Sequence, residues 1–263
     1  MLAAVLLAVG GTGGASFAHV REPQALARAL APAHVNVLVF ARAPPPAEAA
    51  SWCGAAGAPF DARATLPVGT ALGGGEGLRG AMRARFAQPC DSSLDAMCEL
   101  VGLFAHLVVE ARGASPEEAL GLRLQVSEWC DGAPRCSRFH EDHVVLRMVT
   151  ALSGEGTSWL PERPGRRVGL ALASSAPWLG PRVANALVCL PLEGDARRVA
   201  QGDALFLKGR RWGGGTRAAI HRSPELPAEA EISPRVRALF TVDCGAPVAA
   251  EMALAGSASE LTG

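Results

Sequence analysis

The stretch RFHEDHVVLRMVTAL, residues 138–152, places two side chains of the kind that bind metals ahead of a long apolar run. Its alternation of apolar and other residues predicts one long β-strand or two bent ones. Because side chains two residues apart in a strand project from the same face, His140 and Asp142 are expected to reach one ion. Glu141 and His143 are expected to point the other way.

The sequence after residue 118 predicts a series of short strands separated by turn residues. The chain contains 30 Gly and 19 Pro, which favours many turns over long helices. The predicted strands cover residues 120–129, 138–152, 184–192, 204–209, 217–224 and 235–243. Several short strands with turns between them are typical of a β-sandwich or barrel.

The sequence before residue 118 combines helical and strand patterns. Residues 22–31 predict a short helix, and the alternating residues 34–42 predict a strand. Capping residues at 91–93 precede apolar side chains at helical spacing, which predicts a helix that covers the barrel. We therefore expect an N-terminal α/β segment over residues 19–117 and a barrel core over residues 118–245.

The two ends of the chain differ in composition from the rest. Residues 1–18 form an apolar leader, in which Ser16-Phe17-Ala18 is similar to a signal cleavage site. No positive charge precedes the apolar run, so a cleavable signal and a first β-strand both stay open. The run is too short to span a membrane, and we expect no membrane span elsewhere. Residues 246–263 are small and polar, which predicts a disordered tail.

The charge balance and the cysteines restrict the partners and the compartment. Lys plus Arg and Asp plus Glu number 25 each, so there is no basic field for nucleic acid, and we expect a small-molecule or protein partner. The 7 Cys include no CxxC pair, which indicates a reducing, cytoplasmic location. Cys130 and Cys136 flank the His-x-Asp motif; packed thiols are expected, and a disulfide or a metal contact is the alternative.

A second histidine, His221, is suited to the same ion and lies late in the chain within HRSPEL, residues 221–226. Two histidines and one carboxylate leave positions open on iron(II), where a substrate, a cosubstrate and dioxygen can bind. The sequence therefore predicts a metal site at His140, Asp142 and His221, with no catalytic residue beyond these ligands. The alternative is a hydrogen-bonded His140–Asp142 pair with an exposed His221.

The order of these features resembles the double-stranded β-helix, a cupin-like barrel, of the iron(II)- and 2-oxoglutarate-dependent oxygenases. The glycine turn GEGTSWL follows the first strand, and a strand, GDALFLKG, precedes His221. The resemblance implies a mainly β (α+β) fold with N-terminal helices packed on the barrel. It also implies that Arg237, with Arg235 in reserve, holds the cosubstrate carboxylate, and Thr241 shares the strand face of Arg237.

Four ordered blocks resemble one family more specifically, the domain of unknown function 1826. The blocks are REPQALARALAPAHVNVLVFAR (21–42), CSRFHEDHVVLRMVTALSGEGTSWLPE (136–162), GDALFLKGRRW (202–212) and HRSPEL (221–226) followed by RALFTVD (237–243). The family name carries no function. The expected activity is therefore the one that the oxygenase resemblance implies, which is oxidation of an unknown substrate with iron(II) and 2-oxoglutarate.

Four further residues are candidates for a substrate pocket: Arg147, Thr157, Trp159 and Lys208. A surface charge or ion pair is the alternative for Arg147 and Lys208, a turn role for Thr157, and core packing for Trp159. Two other functions stay open for the whole chain. One is a zinc-binding protein or hydrolase that uses the same three ligands, and the other is a non-catalytic β-barrel interaction domain.

Overall fold

A computed structural model describes residues 15–42, 60–86, 89–128, 136–163, 165–189, 196–224 and 236–245. The leader before residue 15, Arg235 and the predicted tail lie outside these ranges. Helices account for at least as many of the described residues as strands do. The fold is therefore mixed α/β, with a large sheet and packed helices, and the expectation of a mainly β protein was wrong in its proportions.

Strands and helices are interspersed along the described chain. The strands are β1 Phe17–Val20, β2 Val37–Phe40, β3 Phe60–Pro67, β4 Ala119–Glu128, β5 Leu146–Ser153, β6 Ser158–Leu160, β7 Arg197–Arg198, β8 Ala204–Lys208, β9 Ile220–Arg222 and β10 Val236–Cys244. The α-helices are α1 Leu26–Leu30, α2 Val68–Gly73, α3 Gly75–Arg85, α4 Asp91–Arg112, α5 Arg166–Ser175 and α6 Pro181–Cys189, and a 3-10 turn spans Pro23–Ala25.

The strands form a seven-stranded sheet and a three-stranded sheet. The larger has the order β1-β2-β8-β5-β10-β4-β3, and the smaller has the order β7-β6-β9. Only the β1–β2 pair is parallel among the strand pairs of the described residues. Strands from the N-terminal segment thus extend the sheet on both edges, and the strands of the C-terminal region form its centre.

One face of the large sheet packs against the helices. Helix α4 begins at Asp91 and ends at Arg112, and the next residue, Gly113, has a φ of 64° that suits glycine. The apolar stripe of α4, which includes the fully buried Met97 and Phe104, lies in the core with β10 and β5, as the sequence predicted. Helix α4 is also long and apolar enough to cross a membrane, but burial of half of its most apolar window explains that character as core packing.

Two segments differ from the strands that the sequence predicted. Residues 184–189 of the predicted strand 184–192 belong to helix α6, where Ala184 and Val188, one helical turn apart, are buried. Within residues 138–152, regular strand begins only at Leu146, and residues 143–145 bend. The helices α2, α3 and α5 and the strand β3 were not predicted, although the sequence FDARATLP of β3 alternates apolar and polar residues as a half-buried strand does.

Candidate metal centre

Backbone hydrogen bonds bring His140 and His221 together. The two residues form an isolated antiparallel bridge, in which each N–H donates to the other's carbonyl oxygen at 3.0 Å. This bridge continues the small sheet beyond β9 and holds the His-x-Asp motif against the late histidine. Asp142 follows two residues on, and the potential ligand atoms of the three residues all lie within 4.8 Å of one another.

Both imidazole rings are oriented by backbone carbonyl groups two residues earlier in the chain. His140 Nδ1 lies 2.9 Å from the Arg138 oxygen, and His221 Nδ1 lies 3.4 Å from the Ala219 oxygen. A carbonyl oxygen can only accept, so Nδ1 donates in each ring, and the neutral form of each ring then presents Nε2 as the ligand atom. This is the orientation that metal-binding histidines use, with the second nitrogen donating to a carbonyl group.

The carboxylate of Asp142 faces both Nε2 atoms. Asp142 Oδ2 lies 3.1 Å from His221 Nε2, and Oδ1 lies 3.8 Å from His140 Nε2. Oδ2 is buried and has no hydrogen-bond partner within the described part of the chain. When both rings are neutral and protonated at Nδ1, three acceptor groups converge. A bound cation would satisfy them, so these residues fit a metal ion.

The electrostatics favour the protonation states that a metal requires. Burial by itself would raise the pKa of Asp142, but the neighbouring His221 and Arg147 outweigh it and hold that pKa well below its usual range. Burial, followed by the proximity of His221, lowers the pKa of His140. Asp142 is therefore an anion and His140 a neutral ligand near neutral pH.

His140 and His221 line a polar cavity of about 140 Å³ between the two sheets, and Asp142 lies beside them. The lining contains both histidines and four arginines, Arg123, Arg147, Arg222 and Arg237. The side chain of His140 is 35% exposed against 7% for His221, so His140 lies at the open side of the group. The arginines suit the cavity to an anionic ligand.

Arg237 lies in this cavity, although its neighbours in β10 belong to the core. Its side chain is buried, and it donates from Nε to the Glu155 oxygen at 2.9 Å, from Nη2 to Thr157 Oγ1 at 3.3 Å and from Nη1 to Ser223 Oγ at 3.4 Å. Burial lowers the pKa of Arg237 to about 10, which leaves it charged at neutral pH. Thr241 projects into the same cavity from the same strand face.

The other predicted pocket residues divide into two groups. Arg147 and Thr157 line the cavity, and Arg147 is bound to the carboxylates of Asp142 and Asp243. Trp159 is buried against Phe17 within the apolar cluster between the sheets, so it is a core residue. Lys208 donates to the Pro32 oxygen at 3.0 Å and lies over the Trp212 ring, away from the cavity.

Residues next to the motif also have defined places. Glu141 points away from the three ligands and pairs with Arg167 and Arg210, and His143 is exposed. Cys136, at the rim of the cavity, has no disulfide partner among the described residues. Cys130, the other cysteine near the His-x-Asp motif, lies outside the described residues.

Sequence reasoning missed Ser223 and Asp243. Ser223 lies two residues after His221 and contacts Arg237, and Asp243 lies two residues after Thr241 and contacts Arg147. The spacing of two residues from a predicted site residue in a strand was the available signal, because such residues share a face. The identity of their partners depends on strand register, which the spacing does not contain.

Several solved structures share a loose overall likeness with this chain. A dioxygenase for auxin oxidation from rice is 15% identical, with 92% of this chain and 81% of that chain covered and a TM-score of 0.46. The Arabidopsis thaliana dioxygenase for auxin oxidation, in a 2-oxoglutarate complex, is 10% identical over 86% and 88%, with a TM-score of 0.42. A prolyl-4-hydroxylase from Pseudomonas putida is 10% identical over 85% and 98%, with a TM-score of 0.37.

At these identities and TM-scores, the likeness assigns no function to the chain. No curated protein matches the sequence significantly. A family model, in contrast, matches most of its length, from residue 20 to residue 243, and includes all three candidate ligands. The chain therefore belongs to the family described as protein of unknown function (DUF1826).

Proposed function

We propose that this protein is an oxygenase that uses iron(II) and 2-oxoglutarate. The observation that carries the proposal is that His140 and His221, grouped with Asp142, line one cavity with the buried Arg237. Three converging acceptors suit a divalent ion with open positions, and a buried guanidinium suits a carboxylate. A ligand that must bind the metal at one end and an arginine at the other has the chemistry of a 2-oxo dicarboxylate.

The course of the chain supports a double-stranded β-helix as the architecture of this site. After β4 in the large sheet, the chain reaches the small sheet at His140, returns to the large sheet with β5 and crosses again to β6 and β7. It then enters β8, β9 and β10, which lie in the large, small and large sheets. Two facing sheets that the chain visits alternately are what this barrel requires.

The residues of the cavity have separate roles in this proposal. The three ligands hold the metal at the open side, while Arg237 and Thr241 bind the distal carboxylate of the cosubstrate. Thr157, Ser223 and the Glu155 carbonyl group fix the guanidinium plane, because each accepts one of its N–H groups. When bound, iron(II) and 2-oxoglutarate would supply dioxygen activation: 2-oxoglutarate would lose carbon dioxide and become succinate, with one oxygen atom entering succinate and the other entering the substrate.

The glycine turn before β6 is shaped to support this arrangement. A Cβ atom at Gly156 would collide with the Val199 carbonyl group, so the turn can approach β7 closely only with glycine. The close approach sets the position of Glu155 and Thr157, which flank Gly156 and accept from Arg237. The turn therefore connects the small sheet to the part of the cavity where Arg237 would bind the cosubstrate carboxylate.

Metal analysis of protein purified without oxygen, followed by 2-oxoglutarate titration of the iron(II)-loaded protein, tests the proposal. We expect one iron(II) per chain and saturable 2-oxoglutarate binding. Arg237→Ala should retain the metal and weaken 2-oxoglutarate binding about tenfold to a hundredfold, as expected for loss of a hydrogen-bonded charge. Arg198→Ala is the matched control, since Arg198 pairs with Glu155 near the protein surface, and its 2-oxoglutarate affinity should stay unchanged.

The same measurements separate the alternatives. Tightly held zinc without 2-oxoglutarate binding would replace the oxygenase with a zinc-binding protein or hydrolase. A protein that binds none of these metals would favour an interaction domain. Equal 2-oxoglutarate affinities of the wild type and Arg237→Ala would remove Arg237 from the cosubstrate site.

A further inference from the structure

Arg147 lies between the candidate ligand Asp142 and a second carboxylate. Its Nη1 atom is 2.8 Å from Asp142 Oδ1. Its other edge makes a two-point contact with Asp243, Nε to Oδ1 at 2.7 Å and Nη2 to Oδ2 at 2.6 Å. Arg147 and Asp243 are direct cross-strand partners in β5 and β10, so the sheet itself fixes the guanidinium plane.

The two oxygen atoms of Asp142 therefore differ in their surroundings. Oδ1 is held by Arg147, whereas Oδ2 is buried, has no hydrogen-bond partner within the described residues and faces His221 Nε2 at 3.1 Å. Oδ1 thus already accepts a charge-assisted hydrogen bond, whereas Oδ2 has none. The geometry favours Oδ2 as the oxygen atom that binds a metal.

We propose that Arg147 is a positioning residue that limits Asp142 to a single metal-binding oxygen. The proposal rests on the proposed function only in requiring a metal at His140, Asp142 and His221. A carboxylate that binds through both oxygens occupies two coordination positions, so the restriction keeps one more position open for a cosubstrate or dioxygen. This role also explains why Arg147 lines the cavity with its guanidinium directed at carboxylates of the protein.

Arg123 offers a matched control within the same cavity. It makes a two-point contact with Asp61, Nε to Oδ1 at 2.8 Å and Nη2 to Oδ2 at 2.6 Å, and it lines the cavity as Arg147 does. Its carboxylate partner belongs to β3 and is not a candidate metal ligand. Replacement of Arg123 removes a cavity arginine and an ion pair without changing the surroundings of Asp142.

Titration of the full-length protein with Co(II), monitored by visible absorption, tests the role of Arg147. Arg147→Gln should weaken Co(II) binding about tenfold to a hundredfold, the usual effect of losing a partner that orients a ligand. Its absorption spectrum should also shift, since a carboxylate that binds through both oxygens changes the coordination number. Arg123→Gln should keep the affinity and the spectrum of the wild type.

Asp243→Asn provides a second variant in case Arg147→Gln does not fold. It retains Arg147 but weakens the contact that fixes it, so its Co(II) affinity should fall less, by several-fold, with a smaller spectral shift in the same direction. Circular dichroism of the metal-free proteins verifies folding. Wild-type affinity and spectrum in both variants, or equal losses in Arg147→Gln and Arg123→Gln, would overturn the proposal. Absence of Co(II) binding by the wild type would instead overturn the metal site, and the proposed function with it.

Discussion

The two faces of the seven-stranded sheet have opposite chemistry at β10, which contributes to both. On the face that packs against the helices, Phe240 and Val242 are fully buried among apolar side chains. On the other face, Arg237 and Thr241 are buried as well, but they line a polar cavity. Burial alone therefore does not distinguish a core residue from a site residue. The distinction depends on whether the side chains around it are apolar or polar.

This difference indicates that stability and ligand binding are distributed between the faces of the same strands. Apolar contacts on the helix-facing side contribute through the surface that they remove from water. The polar side chains on the cavity side lose hydration when buried, which costs free energy unless a partner or ligand compensates for it. Substitutions on the two faces should consequently change different measured quantities.

The largest effect is expected from Phe240→Ala on the helix-facing side. Phe240 is fully buried and its ring contacts that of Phe86, so the substitution should lower the free energy of unfolding by about 3–5 kcal/mol. Its neighbour Leu239 faces the cavity and is only half-buried, so Leu239→Ala should cost clearly less. Urea denaturation of both variants measures the difference, and equal losses would contradict the separation of the two faces.

A second prediction compares adjacent carboxylates of the His-x-Asp motif. Asp142→Asn removes the charge that faces the two histidines and should weaken iron(II) binding by more than about a hundredfold, exceeding the usual effect of a residue outside the ligand set. Glu141→Gln removes a charge that instead pairs with Arg167 and Arg210, and its iron(II) affinity should change little. Anaerobic calorimetric titration measures both constants.

Similar iron(II) affinities of these two variants would assign the metal to other residues. A comparison of their urea denaturation curves provides an independent control. Both variants should lose stability without metal, Glu141→Gln through its ion pairs with Arg167 and Arg210 and Asp142→Asn through its contact with Arg147. Only the iron(II) affinity should therefore distinguish the two carboxylates.

The sequence predicted that the three candidate ligands lie together, but the backbone that groups them differs in part from the predicted one. Same-face spacing in a regular strand predicted that His140 and Asp142 converge, whereas the structure places them in an irregular segment before β5. Their convergence depends on the two-way backbone bridge between His140 and His221. The spacing identified two residues whose side chains converge in the structure, as alternate side chains of a strand do.

Features that depend on long-range register could not be predicted in this way. The contact between Arg147 and Asp243 joins residues 96 positions apart, and a shift of one residue between β5 and β10 would abolish it. Helix α6 was missed for a local reason. Its short apolar run fits both a strand and one face of a helix, and only packing against α5 decides between them.

Lys208 breaks the contrast between the two faces, because it is a fully buried charge on the helix-facing side. It shares the strand face of Phe206 in β8, and its ammonium group contacts only the Pro32 oxygen and the Trp212 ring among the interactions described for it. Burial lowers the pKa of Lys208 to about 8. Lys208 therefore occupies a core position where its charged form is destabilised. Arg237, in contrast, faces a cavity that could hold a ligand.

The last and smallest effect is a pH dependence that follows from this pKa. Lysine in an unfolded chain has a pKa of about 10.4, so between pH of about 8 and 10.4 the unfolded state binds more protons than the folded state. The free energy of unfolding should therefore rise with pH across that window by about 2–3 kcal/mol through Lys208, and the contribution of Lys208 should stay constant at lower pH. Lys208→Met, which preserves the volume, should lack this contribution. Urea denaturation of the wild type and Lys208→Met at both ends of the window, under reducing conditions, measures the Lys208 contribution. The difference between the two proteins isolates it, because all other titrating groups are shared. Parallel pH profiles would show that the ammonium group is as well solvated in the folded protein as in the unfolded chain, and the helix-facing side would then contain no destabilised charge at this position.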